Sequence, residues 1–167
     1  MTPILSPRRA LLGSVLAVGL ALSLAPAHAE RTTSPLADLV GQWTGNGTVS
    51  LANGASERIR CQAAYAPGTD ASNLRSLLRC ASDSYKFELA SDIVDQAGRL
   101  SGAWKEVTRN VSGPVAGSVT RGELQAQIDM PGFAARLTIA TQGNRQVVSV
   151  KSEGSELAGV SITLNRR

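Results

Sequence analysis

Residues 41–51 read Gly41-Gln42-Trp43-Thr44-Gly45-Asn46-Gly47-Thr48-Val49-Ser50-Leu51, and Asn53-Gly54 follows almost at once. Trp43, Gly45, Gly47, Val49 and Leu51 share one side of a period-two repeat, with Gln42, Thr44, Asn46, Thr48 and Ser50 on the other. That is the pattern of a strand with one buried face. Asn-Gly tolerates the left-handed backbone of a tight hairpin, so the stretch predicts a strand and then a reversal.

The same rhythm runs on along the chain. Ile59, Cys61, Ala63 and Tyr65 alternate with Arg58, Arg60 and Gln62 until Pro67-Gly68 breaks the run. A third segment, roughly Leu74 to Ala81, places Leu74, Leu78 and Cys80 on one face. Further alternating sets follow at Tyr85 to Leu89, Leu100 to Trp104, Leu124 to Met130, Phe133 to Ile139, Val148 to Val150 and Val160 to Leu164. Turn signals fall at Asp95 to Gly98, Gly113-Pro114, Pro131-Gly132, Gly143-Asn144 and Glu153-Gly154, with a shorter strand predicted from Val115 to Arg121. No long amphipathic helix interrupts them. The expected fold is all-β: an antiparallel meander of about 8–10 strands, closed or nearly closed as a barrel, because closure leaves no exposed edge. A β-sandwich is the alternative.

The N-terminus has a different character. Arg8 and Arg9 precede an apolar run from Ala10 to Ala25, and Pro26 and Ala27-His28-Ala29 lead to Glu30. Charged region, apolar core and small-residue cleavage site in that order read as a signal peptide over residues 1–29, by the ordinary secretory or the twin-arginine route. The run is shorter than the roughly 20 apolar residues of a membrane anchor, so no transmembrane segment is expected in the mature chain. Residues 30–35 are expected to be a flexible leader, and residues 36–167 a single domain. Within it, Ser34-Pro35 offers an N-cap and first-turn proline for a helical turn at Leu36 to Leu39. The expected location is periplasmic or secreted.

Cleavage changes what chemistry is available. Loss of Arg8 and Arg9 takes Lys and Arg from 17 to 15 against 13 Asp and Glu, so the formal charge falls from +4 to +2. That mild excess is no nucleic-acid footprint. His28, the chain's one histidine, leaves with the leader, which removes Ser-His-Asp and Cys-His sites and His-ligated metal centres. Neither a Gly-x-Ser-x-Gly elbow nor a Ser-x-x-Lys motif occurs. The expectation is a protein that is not an enzyme and holds no cofactor or metal. Cys61 and Cys80, an even pair in an oxidising compartment and both on inward faces, are expected to form a structural disulfide.

Gly41-Gln42-Trp43, after a helical turn and at the head of the first strand, resembles the Gly-x-Trp opening of lipocalin-like, calycin-type barrels. The resemblance implies that the tryptophan plugs the closed end and that a late arginine, Arg166 or Arg167, packs over it. Gly102-Ala103-Trp104 repeats the triplet on a later strand. The early Gly-x-Trp and one disulfide also resemble small periplasmic β-barrel inhibitors of secreted metalloproteases, in which an N-terminal segment is inhibitory; here that implies Glu30 to Ser34. More broadly the chain is similar to small exported bacterial proteins.

Two sites are expected. Trp43, Tyr65, Tyr85, Phe87 and Trp104 would line a site for a small apolar or amphipathic ligand, inside the barrel or at its mouth. Inward Gly45, Gly47, Gly102, Ala63, Ala126 and Ala135 either leave room for that ligand or let the strands coil around a filled core. Outward Arg58, Arg60, Arg75, Arg79 and Lys86 would form a basic patch for an acidic partner or an anionic envelope lipid, or simply a solvated face. Ligand binding leads, and a protein-interaction module is the alternative.

Overall fold

The computed structural model describes residues 34–84, 86–130 and 133–167. The expected signal peptide, residues 30–33 of the expected leader, Tyr85 and the turn expected at Pro131-Gly132 lie outside the described residues. A 3-10 turn, Pro35–Leu39, comes first. Ser34 caps it by accepting the Leu36 N–H on Oγ at 3.3 Å, and Pro35 occupies a position that has no N–H to satisfy.

Ten strands follow: β1 (Gly41–Leu51), β2 (Ser56–Pro67), β3 (Asn73–Ala81), β4 (Lys86–Gln96) and β5 (Arg99–Glu106), then β6 (Val111–Thr120), β7 (Glu123–Met130), β8 (Phe133–Gln142), β9 (Arg145–Glu153) and β10 (Leu157–Arg166). Every strand pairs antiparallel with its neighbours in sequence, and β10 returns to β1, closing the barrel. The all-β meander expected from the sequence is therefore the fold, and the sandwich alternative is not. Tight reversals fall where the turn dipeptides stand. At β4–β5, Ala97 and Gly98 take φ of 53° and 88°, and Asp95 Oδ1 accepts the Gly98 N–H at 2.7 Å.

One turn signal misleads. Gly113-Pro114 is no reversal: both residues lie inside β6, paired with Trp104 and Ala103 of β5. On its other side, β6 pairs with β7 over five residues only, from Ala116↔Gln127 to Thr120↔Glu123. The first half of β6 and Ile128–Met130 have no partner across this seam. Proline is tolerated in a strand where no ladder bond is asked of it, and Pro114 stands in that stretch.

The small inward residues answer the choice left open by the sequence. A Cβ on Gly45 would lie 1.9 Å from the Thr163 carbonyl oxygen, and one on Gly102 would lie 2.2 Å from that of Asp92. Gly47 is similarly confined by Ser161. These glycines let adjacent backbones approach closely; they do not open a cavity. Ala63, Ala126 and Ala135 are buried core members.

Cys61 and Cys80 are direct cross-strand partners on β2 and β3, with Cα atoms 4.2 Å apart and the disulfide formed.

Candidate functional site

The two ends of the barrel are built differently. At the end where β1 begins and β10 finishes, the inward side chains are all taken up by a floor. Leu36 and Leu39 of the 3-10 turn belong to one buried cluster with Trp43, which is 1% exposed, and with Leu74, Leu100 and Leu164. Trp43 Nε1 donates to the Leu39 carbonyl at 2.9 Å. The Arg166 guanidinium lies 4.3 Å above the indole centroid; it also donates to the carbonyls of Val40 and of Asp38, the latter at 2.8 Å. A cation held over an indole face is favourable by about 0.5–2 kcal/mol. Gly41 completes the arrangement: its φ of 136° suits glycine, and a Cβ there would come within 2.7 Å of Arg166 Nη1.

The late arginine is thus Arg166. Arg167 contributes only a backbone bond, its N–H donating to the Gln42 carbonyl at 2.9 Å. Tyr65 also belongs to the floor. Its hydroxyl donates to Gln146 Oε1 at 2.9 Å, and Gln146 Nε2 donates to Thr141 Oγ1 at 3.2 Å. Burial pushes the Tyr65 phenol well above the ordinary tyrosine range, so it stays a neutral donor. The placement of Trp43 and Tyr65 as lining aromatics is therefore corrected: both are fixed in the floor by their polar atoms and packing.

At the opposite end the inward wall is apolar and half-buried. Phe87 and Leu89 of β4, Trp104 of β5, Ile128 of β7, Phe133 of β8 and Val150 of β9 all retain partial solvent access. This is the mouth. Of the five aromatics singled out in the sequence, Phe87 and Trp104 stand here, and Tyr85 is outside the described residues. The Trp104 indole lies against Gly113, where a Cβ would meet Nε1 at 3.1 Å. Its Nε1 is buried and has no hydrogen-bond partner among the described residues, an arrangement that native proteins avoid because an unmade bond costs about 1–3 kcal/mol. The sequence could not give this, since it depends on what lies across the strand.

Glu106, also missed from the sequence, is 8% exposed at the rim. It accepts from Thr108 Oγ1 at 2.5 Å, from the Arg109 N–H at 2.6 Å and from the Glu88 N–H at 3.1 Å, and it pairs with Arg109 at 3.7 Å. Burial pushes its carboxyl up, but the Thr108, Glu88 and Arg109 hydrogen bonds together outweigh that and hold it below the ordinary value of 4.5. A depressed carboxylate stabilises the fold fully above the ordinary range and loses that contribution as pH falls through its folded value. Glu106→Gln is therefore expected to cost stability at about pH 7 and to differ little from the parent at about pH 3. Denaturant midpoints at the two pH values check it, and a gap that ignores pH would contradict it.

The basic residues are divided by the register. Arg60, Arg79 and Lys86 line an open groove of about 710 Å³ that crosses β1–β4, with Asn46, Gln62 and Asn165 beside them. Arg79 is committed to Glu88 on β4, at 2.9 Å from Nε to Oε2. Arg75 stands opposite Asp92, and Arg58 opposite Thr48. The patch is thus reduced, because cross-strand carboxylates stand opposite two of its five cations, Arg75 and Arg79. Among the described residues no helix is long and apolar enough to cross a membrane, and no cluster of His, Cys, Asp and Glu could hold a metal ion.

A closed ten-strand meander with a Gly-x-Trp floor under a late arginine defines a lipocalin-like barrel, in the sense of fold. Two solved structures share it. The crystal structure of Rv2717c from M. tuberculosis superposes with a TM-score of 0.66 at 15% identity, covering 79% of this chain and 94% of that one. The S-type phycobiliprotein lyase CPES from Guillardia theta does so with a TM-score of 0.60 at 10% identity, covering 78% and 89%. Such likeness shows the fold alone. No protein-family model and no curated protein matches the chain.

One expectation is overturned by this comparison. The chain was expected not to be an enzyme, on the absence of catalytic motifs and of histidine after cleavage. A lyase has the same kind of barrel, so those absences do not exclude catalysis on this fold.

Proposed function

We propose that the mature barrel binds a small hydrophobic or amphipathic molecule at its mouth, with Trp104 and Phe87 in contact with it. The observation that carries this reading is the contrast between the two ends: a floor with its tryptophan fully satisfied, and an apolar wall left half-buried around a second tryptophan. A wall of that kind gains free energy by covering itself, at roughly 25 cal/mol per Å². We further propose that it acts outside the cytoplasm, after loss of residues 1–29. The Cys61–Cys80 disulfide supports that compartment, since such bonds persist where conditions are oxidising.

The test is a titration of the chain beginning at Glu30 with Nile red, a neutral apolar dye whose emission rises in apolar surroundings. The expected result is saturable binding with energy transfer from tryptophan. An emission that only climbs linearly with dye would count against the reading.

A further inference from the structure

The inner wall is not uniformly apolar. Tyr65, Ser76, Ser91, Trp104 and Gly113 are successive register partners on β2, β3, β4, β5 and β6. The row begins near the floor on β2, where Tyr65 is the third residue from the strand's end, and it reaches the mouth at Trp104 and Gly113. Ser76 Oγ and Ser91 Oγ lie 2.7 Å apart and share one hydrogen bond, and the Tyr65 hydroxyl donates to Gln146. Trp104 Nε1, at the upper end of the row, is buried and has no partner among the described residues.

Among the described residues, the charged groups on inward strand positions near the mouth have one sign, and the cations at that end, Arg58, Lys86, Lys105 and Arg109, are exposed. Among the described residues, the inward positions of the mouth half carry no Lys or Arg: they include Val49 and Leu51, Ile59, Leu78 and Cys80, Phe87 and Leu89, and Val150 and Ser152. Two carboxylates occupy the rim instead. Glu106 is the buried one. Glu57, on the inward side of β2, accepts from the Ser84 N–H at 3.2 Å and from Ser84 Oγ at 2.6 Å. Arg109 is spent on Glu106, and Arg166 is fixed at the far end under the floor.

Resting on the mouth as the binding site, we infer that its ligand is an uncharged molecule with an apolar body and a hydrogen-bond acceptor, such as an ester, ketone or amide oxygen, which pairs with Trp104 Nε1. A bare hydrocarbon leaves that donor unmatched. A carboxylate or phosphate meets no cation inside and faces two carboxylates at the rim, so its desolvation goes uncompensated. Trp104 is then a specificity-determining residue, set apart from the other apolar wall residues by its N–H.

Competition against Nile red at about pH 8, where a fatty acid is ionised, tests this with methyl decanoate and decanoate on the parent chain and on Trp104→Phe. Phenylalanine keeps an aromatic ring and removes the N–H; an unchanged thermal midpoint shows that the variant is folded. The ester is expected to displace dye from the parent at about tenfold lower concentration than the acid. In W104F the ester should weaken about five- to tenfold while the acid stays where it was. Equal displacement by acid and ester, or an ester affinity indifferent to W104F, would overturn the inference and leave the mouth standing as a site. No saturable dye binding at all would remove both.

Discussion

Trp43→Ala is expected to destabilise the barrel by about 3–5 kcal/mol, the range for truncating a fully buried aromatic. The indole is 1% exposed, shares a buried cluster with Leu36 and Leu39, and carries Arg166 on its outer face. Truncation would leave three losses together: the transferred apolar area, the cation over the ring, and the Leu39 carbonyl without its donor. Since domains of this size are stable by only about 5–15 kcal/mol, one such change removes a large share of the margin. Trp43→Phe separates the terms, because it keeps most of the ring and loses the N–H, and about 1 kcal/mol is expected for it. Denaturant midpoints with unchanged slope measure both. A loss under about 1 kcal/mol in W43A would mean that the floor does not close the barrel as described.

Removing the disulfide is the second large effect. Cys61 and Cys80 are 19 residues apart in sequence, and a loop of that length is expected to contribute about 3 kcal/mol by restricting the unfolded chain. Both cysteines are almost completely buried, so Cys61→Ala with Cys80→Ala keeps small apolar groups in place and isolates the cross-link. The double variant is expected to unfold at clearly lower denaturant concentration, and reductant should bring the parent down to the same level while leaving the variant unmoved. If reductant affected both alike, the bond would not be the cause. The proposed export has its own check: chain recovered from the periplasm or medium of cells making the full sequence is expected to have the mass of residues 30–167 less two hydrogens.

The strands were readable because the fold repeats one local rule ten times. Period-two alternation and turn dipeptides such as Asn53-Gly54 and Gly143-Asn144 act over a few residues, and nothing distant needs to be known to read them. The failures all involve a neighbour across the sheet. Gly113-Pro114 looked like a reversal, and only the missing β7 partner explains why proline is accepted inside β6. Gly45 and Gly102 could have meant space or crowding, and the carbonyls of Thr163 and Asp92 decide for crowding. Arg79 could be named only as one member of an outward basic patch, and the register sets it beside Glu88.

The two Gly-x-Trp triplets make the same point about the site. Gly41-Gln42-Trp43 and Gly102-Ala103-Trp104 are equivalent as strings, and both tryptophans face inward. Trp43 finds the Leu39 carbonyl 2.9 Å away, while Trp104 finds Gly113 and no acceptor among the described residues. What differs is supplied by other strands, so the sequence could nominate both residues and could not tell plug from candidate contact.

Closure of the ring by β1 against β10 has a practical side. Trp43 and Arg166 are register partners, so the start of the first strand and the finish of the last emerge together at the floor. A segment added by design at Ser34 or Arg167 would be attached at that same pole. A tether, an affinity tag or a fused carrier placed there would hold the barrel upright with its opening turned away from the support.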